Sequence, residues 1–152
     1  PCISSTAREG QWIFSSVDPR TGTGREVASF GARNPYPNSW ALSADGACIA
    51  ITSEGGDVPL LTLADGGQRK LKLENVFPLQ SVSWYPASEA LVVTGVTKEG
   101  RFLLLRMDMQ GGRQILMERD EWVTDPAPSP DGRRLAYTAL TSEYNAWLLE
   151  GF

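Results

Sequence analysis

Apolar and polar residues alternate in short runs along the whole chain, and Gly, Pro, Asp or Ser residues separate most of these runs. The stretch "SPDGRRLAYTAL" at 129–140 places a Pro-Asp-Gly triplet directly before such a run. Pro fixes φ, Asp can hydrogen-bond its own backbone and Gly can adopt a positive φ, so the triplet predicts a tight turn that leads into a β-strand. The stretch "LSADGACIAI" at 42–51 has the same order of residues. We therefore expect a positive φ at Gly46 and Gly132, and we place Gly10 in a looser connection.

These turn-and-strand units recur along the chain with a regular spacing. They occupy 42–51, 84–93 and 128–137, so that successive copies begin 42 and 44 residues apart. The middle copy, "WYPASEALVV", has lost the Asp-Gly pair but keeps the alternation of its strand. A period of roughly 40–45 residues is typical of β-propeller blades, each of which contains four antiparallel strands.

The strand patterns divide the chain into two complete and two incomplete blades. Segment 31–73 has the four strands "NSWALS", "ACIAITS", "VPLLTLA" and "QRKLKL", and segment 74–118 has "QSVSWY", "ALVVTGV", "RFLLLRMDM" and "RQILME". Segment 1–30 has only three strand patterns, without an innermost strand, and segment 119–152 stops before an outermost strand. The predicted fold is all-β, a single partial β-propeller domain of about three and a half blades.

The apolar positions of these strands predict the hydrophobic core. Alternation along a strand sends successive side chains to opposite faces of its sheet, so blades that stack on each other bury both faces. The predicted core positions are Ile49, Ile51, Leu61, Leu63, Leu91, Val93, Leu103, Leu105, Leu135 and Trp147.

Composition excludes several classes of protein. With 41% hydrophobic residues, 15 Gly and 10 Pro, the chain is too apolar for a disordered protein and too rich in turns for a helical bundle. A net charge of -4 and scattered basic residues argue against nucleic-acid binding, because phosphate contacts need clustered Lys and Arg. We find neither a run of apolar residues long enough to span a membrane nor a signal-peptide pattern. Direct insertion into a membrane is therefore not expected.

The residues needed for common catalytic and metal sites are missing. The chain has no His, which removes Ser-His-Asp and Cys-His arrangements and His-based zinc sites. Cys2 and Cys48 fall in strand patterns and are interpreted as small core residues, although a disulfide between them stays open. "TGTGREV" at 21–27 precedes a strand, which favours a hairpin turn over a phosphate-binding loop. We expect no enzyme activity, no cofactor and no metal.

An acidic group, "MERDEW", lies before the last blade. Glu118, Asp120 and Glu121 could bind a cation or act as an acid-base pair, but their spacing fits no Ca²⁺-loop signature. A solvated connection between blades is the favoured interpretation.

The connections before the innermost strands, at 31–38, 74–80 and 119–125, are predicted to be loops on one face of the propeller. Aromatic and amide side chains at a concave rim suit the recognition of a peptide or a small ligand, although structural capping of the central channel is an equal alternative. The predicted binding residues are Tyr36, Asn38, Phe77, Gln80, Trp122 and Thr124.

Two of the quoted stretches, "ALSADGACIAI" and "PSPDGRRLAYTAL", resemble the repeat of TolB-like β-propellers, in which a Ser-Pro-Asp-Gly turn precedes a Leu-Ala-Tyr or Ile-Ala-Phe strand. The ending "NAWLLEGF" resembles the C-termini of TolB-like propellers attached to bacterial serine/threonine kinase or winged-helix domains, and neither of these domains is present in the 152 residues. The resemblance implies a non-enzymatic, ligand-sensing or protein-binding module of a larger signalling or cell-envelope protein. It also favours a periplasmic location.

Two other functions remain open. The chain could be the gating propeller of a prolyl-oligopeptidase-like hydrolase whose catalytic domain lies elsewhere, or a purely structural segment that assembles with copies of itself. Incomplete blades leave unpaired strand edges and apolar flanks, so we expect homo-oligomers through these edges in addition to a protein or peptide partner.

Overall fold

The computed structural model of the chain describes residues 2–31, 39–53 and 55–141. Within these ranges the regular structure consists of β-strands and one short 3₁₀ turn at Pro86–Ser88, which confirms the predicted all-β class. The strands are β1 (Cys2–Arg8), β2 (Gln11–Val17), β3 (Gly24–Gly31), β4 (Trp40–Leu42), β5 (Cys48–Ile51), β6 (Asp57–Thr62), β7 (Gln68–Lys72), β8 (Val76–Trp84), β9 (Ala90–Thr97), β10 (Phe102–Asp108), β11 (Arg113–Arg119), β12 (Trp122–Pro128) and β13 (Leu135–Leu140).

The strands form four antiparallel sheets that follow one another along the chain. The first sheet contains β1–β3, the second β4–β7, the third β8–β11 and the fourth, within the described residues, β12 and β13. Within a sheet, each described strand pairs with the next one in sequence, so the strands form antiparallel meanders joined by short connections. We call β4, β8 and β12 the inner strands, because they hydrogen-bond to one another from sheet to sheet.

The "TGTGREV" segment forms the hairpin that joins β2 to β3. The Asp18 N–H donates to the Thr23 carbonyl at 2.9 Å, and the Gly22 N–H donates back to the Asp18 carbonyl at 2.8 Å. Gly22 has a φ of +70°, a conformation that side chains of L residues rarely adopt. The predicted hairpin turn is confirmed.

The repeated Ser-x-Asp-Gly turn closes in the same way in both of its copies. In the first copy the Ser43 N–H donates to the Cys48 carbonyl at 2.8 Å, and in the second the Ser129 N–H donates to the Arg134 carbonyl at the same distance. Gly46 has a φ of +72° and Gly132 a φ of +67°, which confirms the predicted positive φ at both positions.

The prediction of a loose connection at Gly10 is wrong. Arg8 pairs directly with Gln11, so only two residues connect β1 to β2. Glu9 has a φ of 47° and Gly10 a φ of 77°. Two successive positive φ angles are typical of the type I′ hairpin, whose twist matches that of the flanking strands.

The middle copy of the repeat keeps the closure and changes the turn. The Tyr85 N–H donates to the Ala90 carbonyl at 2.8 Å, which is the bond seen in the other two copies. In place of Asp-Gly the chain makes the 3₁₀ turn, with a φ of 61° at Ala87. The strand that follows can therefore begin at the same place in the repeat without a glycine.

Three apolar layers lie between successive sheets. We call the face that a sheet turns towards the next sheet in sequence its leading face, and the opposite one its trailing face. In the second sheet Ala50 and Leu60 belong to the layer shared with the third sheet, whereas Ile49, Ile51 and Leu61 pack with Phe14 of the first. Val92 and Leu104 on the leading face of the third sheet pack against Val123 of β12. Alternation along each strand thus assigns its side chains to two different layers.

Most of the predicted core positions are buried. Leu63 and Leu135 are only partly buried, and Trp147 lies outside the described residues. The buried positions are Ile49, Ile51, Leu61, Leu91, Val93, Leu103 and Leu105.

Two of the predicted loops are partly strand. β8 begins at Val76 and β12 at Trp122, so the assignments of 74–80 and 119–125 to loops are wrong at these residues. Val76 pairs with Thr97 and Leu79 pairs with Gly95, on either side of a bulge. A Cβ at Gly95 would lie 2.6 Å from Val76 Cγ1 and 2.9 Å from Leu79 Cδ2. The absence of a side chain at Gly95 therefore leaves space for this early part of β8.

Candidate functional site

Four of the six predicted binding residues lie in the part of the chain that the structure describes, and all four are on inner strands. Phe77, with 45% of its surface exposed, and the half-buried Gln80 belong to β8, and Trp122, with 41% exposed, and the half-buried Thr124 belong to β12. Tyr36 and Asn38 lie outside the described residues. The four strand residues have less freedom to adjust to a ligand than residues of a loop would have.

Both β12 residues already have partners within the chain. The Trp122 ring lies 5.4 Å from the Phe102 ring, centroid to centroid, at a tilt of 39°. The Thr124 hydroxyl donates to Ser81 Oγ at 3.4 Å. Trp122 therefore contributes to the contact between the third and fourth sheets, and Thr124 joins a polar network that the sequence did not reveal.

That network begins with a pair of hydroxyl residues in the second sheet and another in the third. In the third sheet Ser81 Oγ and Thr94 Oγ1 are 2.6 Å apart and both residues are buried. In the second sheet the Thr52 hydroxyl donates to the Ser39 carbonyl at 3.2 Å. Ser81 lies on inner strand β8 and Ser39 directly precedes inner strand β4, whereas Thr94 lies on β9 and Thr52 directly follows β5. We call these two residue pairs the hydroxyl pairs.

Each hydroxyl pair receives a hydrogen bond from the inner strand of the next sheet. The Val82 N–H of β8 donates to Ser39 Oγ at 3.3 Å, and the Asp125 N–H of β12 donates to Ser81 Oγ at 2.9 Å. The donors lie 43 and 44 residues after their acceptors, close to the 42 and 44 residues that separate the repeated turns. The network therefore joins sheets at equivalent points.

The need for these acceptors follows from the position of the inner strands. An inner strand pairs with a neighbouring strand on one edge only. Every second residue directs its N–H to the other edge, where no strand carbonyl accepts it. A buried N–H without an acceptor costs about 1–3 kcal/mol. Serine hydroxyls of the preceding sheet supply the acceptor for Val82 and for Asp125.

A signal for this network is present in the sequence. A threonine takes the fifth place in each of the corresponding segments "CIAIT", "ALVVT" and "RLAYT". These threonines are Thr52, Thr94 and Thr138. A hydroxyl at one position of a repeat is a weak signal when each strand is considered alone. The signal is visible only when the three strands are aligned.

A groove lies at the opposite end of the inner strands, where they lead into the repeated turns. Its volume is about 400 Å³, and side chains of three successive sheets line it. The Trp84 indole in its wall donates to the Ala41 carbonyl at 2.9 Å, and the Arg106 guanidinium lies 5.3 Å from the centre of the Tyr85 ring. The lining residues are Ala41, Leu42, Ala44, Ser83, Trp84, Tyr85, Pro86, Ala87, Pro128 and Pro130, all of them uncharged.

The two Asp-Gly turns beside this groove hold ionised carboxylates. The Ser43 hydroxyl donates to Asp45 Oδ1 at 2.5 Å and the Ala47 N–H donates to the same atom at 3.1 Å. The hydrogen bond from Ser43, followed by that from Ala47, holds the pKa of Asp45 below its ordinary value of 3.8. Asp131 has the corresponding bonds from Ser129 and Arg133, which lower its pKa in the same way.

The acidic group before β12 forms surface ion pairs. The Arg101 guanidinium donates to Glu118 Oε1 at 3.1 Å and also pairs with Asp120. Hydrogen bonds to Asp120 and Glu118 raise the pKa of Arg101. Both carboxylates therefore pair with Arg101 at the surface. Asp120 lies in a solvated connection as expected, whereas Glu118 belongs to β11, so the interpretation as a connection is wrong for Glu118.

Neither cysteine forms a disulfide. Cys2 is exposed and Cys48 is half-buried, beside Arg69, Trp84 and Met109 in a second cavity of about 260 Å³. Burial raises the pKa of the Cys48 thiol, which keeps it protonated near neutral pH and weakens it as a nucleophile. Across residues 2–31, 39–53 and 55–141 we find no cluster of three or more His, Cys, Asp or Glu able to hold a metal, and no helix able to cross a membrane.

Solved structures show which fold the sheets form. The chain is similar to the β-propeller domain of Cps50 (Swd1) from Myceliophteria thermophila, with a TM-score of 0.66 and 15% identity over 90% of this chain and 45% of that one. It is also similar to a putative TolB from Agrobacterium tumefaciens, with a TM-score of 0.62 and 14% identity over 86% of this chain and 50% of that one. A chain of a nidogen/laminin complex is similar as well, with a TM-score of 0.67 and 13% identity over 86% of this chain and 53% of that one.

No protein-family model and no curated protein matches the chain. The chain spans about half the length of the three solved structures. At these identities the similarity shows the fold alone, and it confirms the predicted β-propeller of four-stranded antiparallel blades. The sheets are its blades.

Proposed function

We propose that the chain is a non-enzymatic propeller module that binds a protein or peptide partner, as part of a larger signalling or cell-envelope protein. The groove at the turn end of the inner strands carries this proposal. Its volume of about 400 Å³ is within the range of roughly 300–1,000 Å³ typical of ligand sites, and three blades contribute to it. A TolB-like repeat and the similarity to a chain of the nidogen/laminin complex support a binding role.

The lining of the groove suits an uncharged, apolar peptide segment. Trp84, Tyr85 and three prolines give it large apolar surfaces with few rotatable bonds, so little conformational entropy is lost on binding. The Trp84 indole is already bonded to Ala41, which fixes the ring in the groove wall. A charged ligand group would lose its hydration there without gaining an opposite charge from the lining.

The proposal is tested by selecting peptides that bind the purified chain from a displayed library and measuring their affinities for two variants. Pro130→Asp adds a charge at the groove, and Phe77→Asp adds the same charge at the other end of the inner strands. We expect Pro130→Asp to weaken binding about tenfold or more, because the ligand would then desolvate a carboxylate, and Phe77→Asp to leave binding unchanged. Loss of binding in Phe77→Asp alone would place the site at the end predicted from the sequence.

We also propose that copies of the chain pair through the free edge of β1. Within the described residues β1 pairs with β2 only, so the backbone groups of its other edge have no strand partner. Light scattering at micromolar concentrations tests the pairing. We expect a mass above one protomer, which falls in Ala7→Pro because proline removes an edge N–H. A single-protomer mass in the wild type would refute the pairing.

A further inference from the structure

A cavity of about 180 Å³ lies beside the two outer strands of the third blade. We call it the rim cavity. Its apolar lining is Val76 at the start of β8, Leu103 and Leu105 of β10, and Ile115 of β11. It shares no lining residue with the groove, so the two surfaces can be tested separately.

Ile115 is the uncovered wall of the rim cavity. It pairs with Leu105 across the sheet, so both side chains lie on the trailing face of the third blade. Leu105 packs in the layer shared with the second blade, whereas Ile115 has 57% of its surface exposed and packs in none of the apolar layers of the described residues. An apolar group from outside the chain would therefore remove Ile115 from water.

The size of the rim cavity suits one aromatic ring. A cavity of about 150 Å³ lined by apolar side chains is large enough to hold benzene. The rim cavity, at about 180 Å³, can therefore take the phenyl ring of a phenylalanine. Val76, Leu103 and Leu105 are buried members of the core, so these three walls keep their positions when a ring enters.

The charges around the rim cavity favour a basic neighbour for that ring. They come from Glu74, Glu99 and Arg113, and the other lining residues are uncharged. The Arg113 guanidinium donates to the Glu74 carbonyl at 2.7 Å, and within the described residues neither glutamate side chain forms an ion pair. Two carboxylates and one guanidinium leave one net negative charge, on a chain whose net charge is -4. Such a surface attracts a cation and repels an anion.

We propose that the rim cavity binds an aromatic side chain of a basic peptide segment, in which a lysine or arginine stands next to the aromatic residue. The ring packs against Leu105 and Ile115, and the neighbouring cation pairs with Glu74 or Glu99. An acidic segment is repelled by the same two carboxylates, and an uncharged segment gains only the contact of its ring. The segment therefore differs in chemistry from the uncharged ligand of the groove.

The experiment titrates the full chain with the blocked peptide acetyl-Gly-Phe-Lys-Gly-amide at millimolar concentrations, followed by NMR. We expect shifts of the Val76, Glu99 and Ile115 amides and no shift of the Trp84 indole in the groove. Replacing Phe by Ala in the peptide removes the ring and should weaken binding about tenfold or more. Replacing Lys by Glu reverses the charge and should weaken binding about threefold to tenfold.

A variant of the uncovered wall tests the position of the ring. Ile115→Ala removes most of that wall and should weaken binding of the Phe-Lys peptide about fivefold or more. Leu116→Ala makes a matched change at the next residue of β11, which does not line the cavity, and should leave the affinity unchanged. Both residues are exposed, so neither variant disturbs the core.

A second variant tests the position of the cation. Glu74→Gln/Glu99→Gln should weaken the Phe-Lys peptide about twofold to fivefold and should leave an uncharged Phe-Met peptide unaffected. Glu9→Gln/Glu26→Gln removes the same charge from exposed positions of the first blade and should change neither affinity.

Several results would overturn the proposal. The Phe-Lys peptide does not bind, the Ala-Lys or Phe-Glu peptide binds equally well, Ile115→Ala has no effect, or the shifts are confined to Trp84 and Tyr85, which would place the peptide in the groove. If the peptide does not bind and Ile115→Ala instead abolishes self-association of the chain, the occupant is a second copy and the proposed occupant is wrong. The effect of Pro130→Asp on a selected ligand concerns the groove alone.

Discussion

Single residues decide the geometry of the repeated turns. Gly46 and Gly132 have positive φ angles, and a Cβ at Gly46 would meet no atom within 4 Å. Any cost of a side chain at Gly46 therefore comes from the backbone. Both angles were predictable because an Asp-Gly pair before a strand is a local signal. Gly10 was misplaced because its partner in the turn is Glu9, a residue type that rarely adopts a positive φ.

Gly46→Ala and Gly132→Ala should each lower the free energy of unfolding by about 1–2 kcal/mol, the cost of a left-handed conformation for an L residue. Gly31→Ala is the control, since Gly31 has no positive φ and its added Cβ would be unobstructed. Chemical denaturation measures all three. Equal stability of the three variants would contradict the assignment of strained turns.

The lowered pKa values of Asp45 and Asp131 predict that the folded chain becomes less stable in acid. Their pKa values in the folded chain lie below the ordinary 3.8, so the unfolded chain takes up protons first as the pH falls. Their contribution to stability is thus complete above about pH 4–5 and is lost as the pH falls through the lowered folded pKa values.

The variant Asp45→Asn/Asp131→Asn should therefore lose less stability than the wild type between pH 5 and pH 3. Ser43→Ala/Ser129→Ala, which removes the main cause of the lowered pKa values, should flatten the dependence in the same direction. Denaturant unfolding at both pH values provides the comparison. A slope equal to that of the wild type in both variants would show that these turns do not hold the carboxylates in their ionised form.

At the scale of strands, the burial of a side chain depends on which face of its sheet it lies on and on whether another blade covers that face. Leu105 of β10 is almost fully buried between the second and third blades, whereas Leu140 of β13 is mostly exposed. The sequence placed both leucines in strands but could not distinguish their environments, because both follow the same alternation. Strand starts were also missed, since the early pairing of β8 depends on the space beside Gly95 in another strand.

Leu105→Ala should destabilise the chain by about 2–5 kcal/mol, through lost burial and the cavity that remains. Leu140→Ala should change stability by less than about 0.5 kcal/mol, as is usual at exposed positions. Thermal and chemical unfolding of the two variants measure this difference. Similar losses would mean that Leu140 is covered by other residues in the isolated chain.

At the scale of the molecule, the period of the turns was sufficient to predict a propeller, because only stacked blades repeat a four-stranded unit at this spacing. The sequence did not reveal how the blades are joined. Ser39 and Ser81 are unremarkable within their own strands, and their role is visible only when each is paired with an N–H one period later. The predicted binding face remains a prediction, since two of its residues lie outside the described ranges.

The most direct test of the account is amide hydrogen exchange at Val82 and Asp125, measured by NMR. Both N–H groups face the free edge of an inner strand, so their protection depends on the hydroxyl of the preceding blade. We predict that both amides are protected in the wild type, that Ser39→Ala exposes Val82 alone and that Ser81→Ala exposes Asp125 alone. Rapid exchange of these amides in the wild type, or protection unchanged in both variants, would contradict the joining of blades by repeated hydroxyls.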